Sequence, residues 1–244
     1  MLSFEIECFM RQRAKVIQVG SLEGRASILK TMPHLKYENA ADWLHDLGDI
    51  PLDRIIMDPW PGTATERDLI VLVERDKRLC ELIDGTLVEK PVGYLESLIA
   101  GWLITELNNF IGFENLGYVS GEAGMIRMIS GRVRLPDVAF VSVHDLPGGK
   151  LPLEPIPTLT PTLAVEILSE TNTKAEIRLK LKEYFESGSK LAWIIDPRTR
   201  TIEIFDHFSE APNRVVREGD VLDAGTVLPG FLLEVTRLFA RLPK

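Results

Sequence analysis

Residues 163–168 read LAVEIL, an apolar run interrupted by a single carboxylate, Glu166. Few folds can house such a segment. Apolar residues without polar alternation want cover on both faces, so the run predicts a central strand of a sheet buried on both sides. A charge in that setting is almost never fully buried unless it is paired or holds a metal. The sequence continues TNTKAEIRLKLKEYFESG. Thr173 and Glu176 have the spacing of a capping box, and Gly188 ends the predicted helix. Ile177, Leu181 and Tyr184 define its inward stripe, and Lys180 lies beside that stripe, three residues after Ile177 and four before Tyr184. LAWII, residues 191–195, predicts a second buried strand.

The rest of the chain builds around this unit. Residues 1–60 read as an N-terminal extension, with a strand at 15–19, a turn at 20–24 and a short helix from Glu38, capped by Asn39 and ended by Gly48. A proline-dense loop leads to residue 61, where the main domain, over 61–244, begins. Thr65–Arg78 predicts a helix with acids in its first turn and bases in its last. CELIDGTLVEK, residues 80–90, predicts a hairpin turning at Asp84-Gly85. Leu95, Ile99, Leu103, Leu107 and Phe110 recur at helical spacing and predict a long helix over 94–111. One or two strands follow over 118–129, broken at Gly121–Gly124, and then a strand over 133–143 that carries Asp137. The five prolines at 147, 152, 155, 157 and 161 predict an extended surface loop. Thr201–Phe205 pairs back on the preceding strand, short strands lie near Val215 and Val221, and a final helix carries Leu232, Val235, Leu238 and Phe239.

Composition excludes several classes. With 244 residues, 45% hydrophobic and 26% charged, the chain can bury a sizeable core. Two cysteines make no disulfide framework, and no secretory signal precedes them, which points to a reducing cytoplasm. The longest apolar run, residues 98–104, is too short to span a bilayer, so no membrane association is expected. A net charge of −8 argues against a surface that grips nucleic acid everywhere, although it leaves the field inside one cleft open. The histidines show no zinc spacing, and there is neither a Ser-His-Asp signature nor a phosphate-cradling glycine loop.

Four residues stand out chemically, each with a plainer reading beside it. Asp137 follows Pro136 at a strand start; taken alone, that dipeptide is an ordinary exposed turn. Glu166 is either a functional acid or an internal salt bridge. Lys180 either faces that acid or snorkels from the border of the apolar stripe. Glu96 is a further acid or a surface residue favoured by the helix dipole. Together they suit phosphodiester hydrolysis. Two carboxylates can hold Mg²⁺ through oxygen. The metal neutralises phosphate charge and lowers the pKa of bound water, and a lysine orients that water.

LPDVAFVSV, LAVEILSETNT, KLKEYFESG and LAWIIDPRTRTIEIF, with ELIDGTLVEKP before them and VLPGF after, resemble the Uma-two (Uma2) type of restriction endonucleases in the PD-(D/E)XK nuclease superfamily. The resemblance runs over roughly residues 60–240. It implies an α+β fold, a mixed sheet flanked by helices with core order αβββαβ, followed by C-terminal hairpins. It implies that Asp137 and Glu166 hold Mg²⁺ or Mn²⁺, with Glu96 as an additional acid. Leu168 stands where the superfamily motif has lysine, and Lys180 matches a lysine moved to the following helix. DNA is the implied substrate and a homodimer the implied assembly. Two other readings remain: a nuclease-fold module that binds nucleic acid or protein without cutting, and a hydrolase using Glu96 and Glu166 as an acid–base pair. No aromatic sugar platforms accompany the latter.

Overall fold

The structure is a computed structural model that describes residues 37–91, 93–112, 114–240 and 242. The strand and turn expected at 15–19 and 20–24 lie outside the described residues. From Trp43 onward the described residues make one compact unit.

Helix α1 spans Ala40–Asp46, and Asn39 caps it by accepting from the amides of Ala41 and Asp42. Helix α2, Glu66–Asp76, opens with a reciprocal capping box between Thr65 and Asp68. Strands β1 (Cys80–Ile83) and β2 (Thr86–Glu89) form the expected hairpin, with positive φ at both Asp84 and Gly85. Helix α3 then runs over Tyr94–Ile111.

The expected strand over 133–143 is two strands in two different sheets. Strand β5 (Val133–Arg134) pairs with β1 and β4 (Ile126–Arg127), giving the four-stranded order β2-β1-β5-β4. Strand β6 (Val138–Ser142) belongs to the main sheet. Pro136 has no N–H to offer a ladder, so the chain can leave one sheet there and enter the other at Asp137.

The main sheet has six strands. Besides β6 they are β3 (Gly117–Gly121), β7 (Leu163–Ile167), β8 (Leu191–Asp196), β9 (Thr201–Phe205) and β10 (Arg214–Arg217). Their order is β10-β9-β8-β7-β6-β3. The β7–β8 pair is parallel, joined through helix α4 (Lys174–Glu186), and every other pair is antiparallel. The core order α3-β3-β6-β7-α4-β8 is the αβββαβ pattern. All five residues of β7 are buried, as the LAVEIL run requires.

Alternation along these strands assigns the two faces. Val138, Phe140, Leu163, Val165, Trp193 and Ile195 join Ile99, Leu103 and Leu107 of α3 in the largest core. Ala192, Ile194 and Phe205 pack with Leu181 of α4 on the other face. The small sheet is also covered twice. Leu69 of α2 packs on Cys80, Leu82 and Leu87, while Leu47, Ile50 and Ile55 pack on Ile83 and Val88.

Two further expectations change. The proline loop is not wholly superficial: Ile156 and Leu159 are buried in it, and Thr158 bridges to Arg127. The last helix begins later than expected. Residues Leu228–Glu234 form β12, paired with β11 (Val221–Ala224), and only Val235–Phe239 is helical, as α5. Leu232 therefore sits on a strand, 70% exposed, while Leu233 turns inward.

Candidate active site

Asp137 and Glu166 converge because β6 and β7 run antiparallel. Val138 pairs with Val165, so the next residues outward on each strand, 137 and 166, face one another. Asp137 is held from two sides. Its Oδ2 accepts from the Ile167 amide at 2.6 Å, and its Oδ1 lies 2.7 Å from Nζ of Lys90. Lys90 follows β2 and also donates to the carbonyl of Leu135.

Glu166 is 3% exposed and points to α4. Lys180 Nζ donates to its Oε2 at 3.0 Å, and the Tyr184 hydroxyl donates to its Oε1. The spacing of Lys180 and Tyr184, one turn apart, puts both on the face of α4 that covers β7. Lys180 does not snorkel; at 2% exposure it is enclosed, with its ammonium also 3.1 Å from Glu81.

The cluster continues into the small sheet. Arg134 Nη1 donates to Glu81 at 2.7 Å, and its Nε and Nη2 hold Glu183 at 2.6 and 3.0 Å. Arg132 pairs with Glu183 and, on its outer side, with Asp84. A second buried pair lies near the start of α4. Arg54 holds Glu176 through two hydrogen bonds of 2.9 and 2.7 Å. The capping box expected at Thr173 is therefore half made: its side chain accepts from the Glu176 amide, but the Glu176 carboxylate goes to Arg54 and Asn172.

The charges in this cluster differ in their surroundings. Burial pushes the Glu166 carboxyl above its ordinary range, and Asp137 and Glu81 add to that against the pull of Lys180 and Lys90. Burial acts on Glu81 too, but Lys180, Arg134 and Lys90 together overcome it and hold that carboxyl well below its ordinary range. Lys180 is the converse: burial opposes its charge, yet Glu166, Glu81 and Glu176 hold the ammonium well above its usual pKa.

Asp137 borders a cleft of about 350 Å³ lined also by Ser97, Gly101, Ile104 and the Gly121–Gly124 turn. Glu96 is not brought to the cluster by any hydrogen bond or ion pair among the described residues; its carboxylate folds back over Gly93, where a Cβ would meet its Oε2 at 1.7 Å. A larger cleft of about 660 Å³ lies beside the start of α4, between Arg178, Asp196 and Arg198, and none of the four residues singled out borders it.

A family model described as "Putative restriction endonuclease", Uma2, matches residues 67–236. The chain belongs to the Uma2 family. Among solved structures it is similar to a chain from Anabaena variabilis ATCC 29413 titled a putative nuclease belonging to DUF820. The identity is 18%, the TM-score 0.58, and the match covers 66% of this chain and 89% of that one. At that identity the likeness shows a shared fold. No curated protein matches.

Sequence reasoning missed Glu81, Lys90, Arg134 and Glu183. Glu81 carried the same signal as Glu166, a lone charge in the apolar run CELI. Read as half of a hairpin, however, it takes the solvent face. Its carboxylate is buried against Arg134 and Lys180, while Ile50 and Ile55 cover Ile83 and Val88 of the same hairpin.

For this Uma2 chain the donor chemistry suits a hard divalent cation. Asp137 and Glu166 are neighbouring carboxyls, each oxygen of which already meets a protein donor, and Mg²⁺ is commonly held by one or two carboxylates, with water and substrate phosphate completing the shell. Among the described residues no group of three or more His, Cys, Asp or Glu residues is placed to hold a metal ion. No helix among them is long and apolar enough to cross a membrane.

Proposed function

We propose that the chain is a metal-dependent endonuclease that hydrolyses DNA phosphodiesters at the Asp137 cleft. The observation that carries this is the meeting of Asp137 and Glu166 across β6 and β7, one of them bordering open space. Both residues would hold Mg²⁺ or Mn²⁺. Bound there, the metal would neutralise phosphate charge and lower the pKa of bound water.

The chain's own residues prepare this chemistry. The Ile167 amide fixes Asp137, and Lys180 with Tyr184 fixes both oxygens of Glu166. Enclosed between two glutamates, Lys180 acts through Glu166 and is a positioning residue. Gly121 and Gly124 line the cleft beside Asp137 through which a phosphate backbone would approach. Glu96, turned onto Gly93, has no ligand role in this reading. The local field of the site, rather than the net charge of −8, governs attraction of the phosphate.

The test is cleavage of plasmid DNA with Mg²⁺ or Mn²⁺ by wild type, Asp137→Asn and Glu166→Gln. Wild type cuts, and each variant loses about 100-fold or more, at least the loss seen when groups supporting a metal site are removed. Equal cleavage by wild type and Glu166→Gln would sink the proposal.

A second reading has its own observation. All four oxygens of Asp137 and Glu166 already meet protein donors. A nuclease fold that binds nucleic acid without cutting would keep such a set permanently closed. It predicts DNA binding indifferent to chelator, with no product under any metal.

A further inference from the structure

Lys90 is a charge that the proposed reaction does not use, and it occupies the carboxylate that borders the cleft. Its ammonium lies 2.7 Å from Asp137 Oδ1, and both side chains are buried, 3% and 9% exposed. Resting on the nuclease reading, we propose that Lys90 is a resident counter-ion of Asp137. A divalent cation displaces it, so metal and phosphodiester enter this site together rather than in turn.

The argument is one of charge and anchorage. Asp137, Glu166 and Glu81 bring three negative charges, and Lys90, Lys180 and Arg134 already answer them. A dication approaching Asp137 meets an ammonium at the same oxygen, and like charges a few ångströms apart in a buried site repel strongly. A phosphodiester entering from the cleft brings one negative charge. That offsets the excess and gives the displaced ammonium a new counter-charge. Favourable coupling between two ligands is reciprocal, so the diester tightens the metal as much as the metal tightens the diester.

Anchorage decides which lysine gives way. Lys180 is held by two carboxylates, Glu166 at 3.0 Å and Glu81 at 3.1 Å, inside the α4 face. Lys90 has one carboxylate within ion-pair distance, Asp137, and one neutral carbonyl, that of Leu135, with Glu166 and Glu81 attracting it from farther away. It follows the last residue of β2, and its partner Asp137 lines the cleft. Lys90 is thus the less firmly held cation and the one nearer the entering ligands.

The experiment titrates Mn²⁺ by calorimetry into wild type, Lys90→Gln, Lys90→Met and Lys90→Arg, each alone and with a short phosphorothioate DNA duplex. Glutamine keeps a hydrogen-bond donor for Asp137 and Leu135 without the charge, and thermal melting identifies which variants are folded. Wild type and Lys90→Arg bind Mn²⁺ weakly alone and more tightly with the duplex. Lys90→Gln, or Lys90→Met if glutamine disturbs the fold, binds Mn²⁺ alone about tenfold or more tighter than wild type, a modest fraction of what one nearby charge can contribute. It gains correspondingly less from the duplex. A folded neutral variant that binds Mn²⁺ no tighter than wild type overturns the inference, including the case where neither binds. Plasmid cleavage is scored in parallel. The predicted binding without any cleavage would count against the nuclease reading and leave Lys90 in its role. Cleavage by wild type with unchanged Mn²⁺ affinity in the neutral variant would count against Lys90 alone.

Discussion

The ammonium of Lys180 lies 3.1 Å from Glu81 in the small sheet and 3.0 Å from Glu166 in the large one, so one side chain joins the two sheets through charge. All three residues are at most 3% exposed. Removing one member of a buried ion cluster leaves the others uncompensated, at a cost of about 3–5 kcal/mol. Lys180→Met is therefore expected to lose stability of that order in urea unfolding. Adding Glu166→Gln to it should recover part of the loss, because that carboxyl no longer has to be buried charged. A Lys180→Met protein as stable as wild type would show that the cluster contributes nothing to the joint.

Acid should loosen the same joint. A carboxyl whose pKa is lower folded than unfolded stabilises the fold above its unfolded value of about 4.3, and that contribution is lost as pH falls through the folded pKa. Glu81, Glu183 and Glu176 are of this kind; against the effect of burial, Lys180 and Arg134 hold the first, Arg134 and Arg132 the second, and Arg54 and Lys180 the third. Glu166 has the opposite sign, since burial raises its pKa. Its contribution is greatest below about 4.3 and falls as pH rises through the folded pKa. Three groups against one predict net loss of stability on acidification below about pH 4.3. Unfolding free energy measured against pH should show that limb, and Glu81→Gln should flatten it. An acid limb unchanged by Glu81→Gln would assign it to other carboxylates.

Much of this architecture is legible in the chain because local chemistry dictated it. The Asp84-Gly85 turn, the Thr65 cap, the period of α3 and the apolar run around Glu166 each specify their element almost alone. Glu166 was legible for the same reason, as a charge where apolar residues belong, whereas Asp137, an ordinary Pro-Asp turn by itself, stood out only through the family resemblance. What was not legible depends on cover supplied from elsewhere. Arg134 in VRLP reads as an outward residue of a strand until Glu81 and Glu183 are seen against it. Lys90 reads as the polar end of a hairpin, and only the exchange of sheets at Pro136 brings Asp137 to it. Leu232 fits a helical stripe by spacing, but β11 offers an edge for residues 228–234 to pair with, and the strand wins.

The Arg54–Glu176 pair fastens residues 47–55 to α4. It is the buried link between the cover of the hairpin and the helix that carries Lys180. Thr173 adds a second tie by donating to the Gly48 carbonyl at 2.5 Å. Arg54→Met should cost about 3–5 kcal/mol, and a double-mutant cycle with Glu176→Gln should give a coupling of about 0.5–3 kcal/mol. Thr173→Ala should cost only about 1 kcal/mol, the usual value of a helix cap. Additive Arg54 and Glu176 losses would mean that the two side chains stabilise the fold independently.

Cys80 reports on the joint without disturbing it. Its thiol is fully buried at the first position of β1, and burial pushes its pKa up to about 12. The reactive species is the thiolate, so near neutral pH the native thiol should be alkylated roughly 10³-fold more slowly than an ordinary cysteine with a pKa near 8.5. Iodoacetamide labelling read at the Cys80 peptide by mass spectrometry should therefore follow opening of the hairpin rather than intrinsic thiol chemistry. Glu81 is the next residue, and Lys180 ties it to α4. Lys180→Met should then accelerate labelling of Cys80 in proportion to the stability lost, provided opening is fast relative to alkylation. If Cys80 in the wild-type protein labels as fast as the urea-unfolded chain, the hairpin is open in solution and the buried cluster it helps to build does not hold.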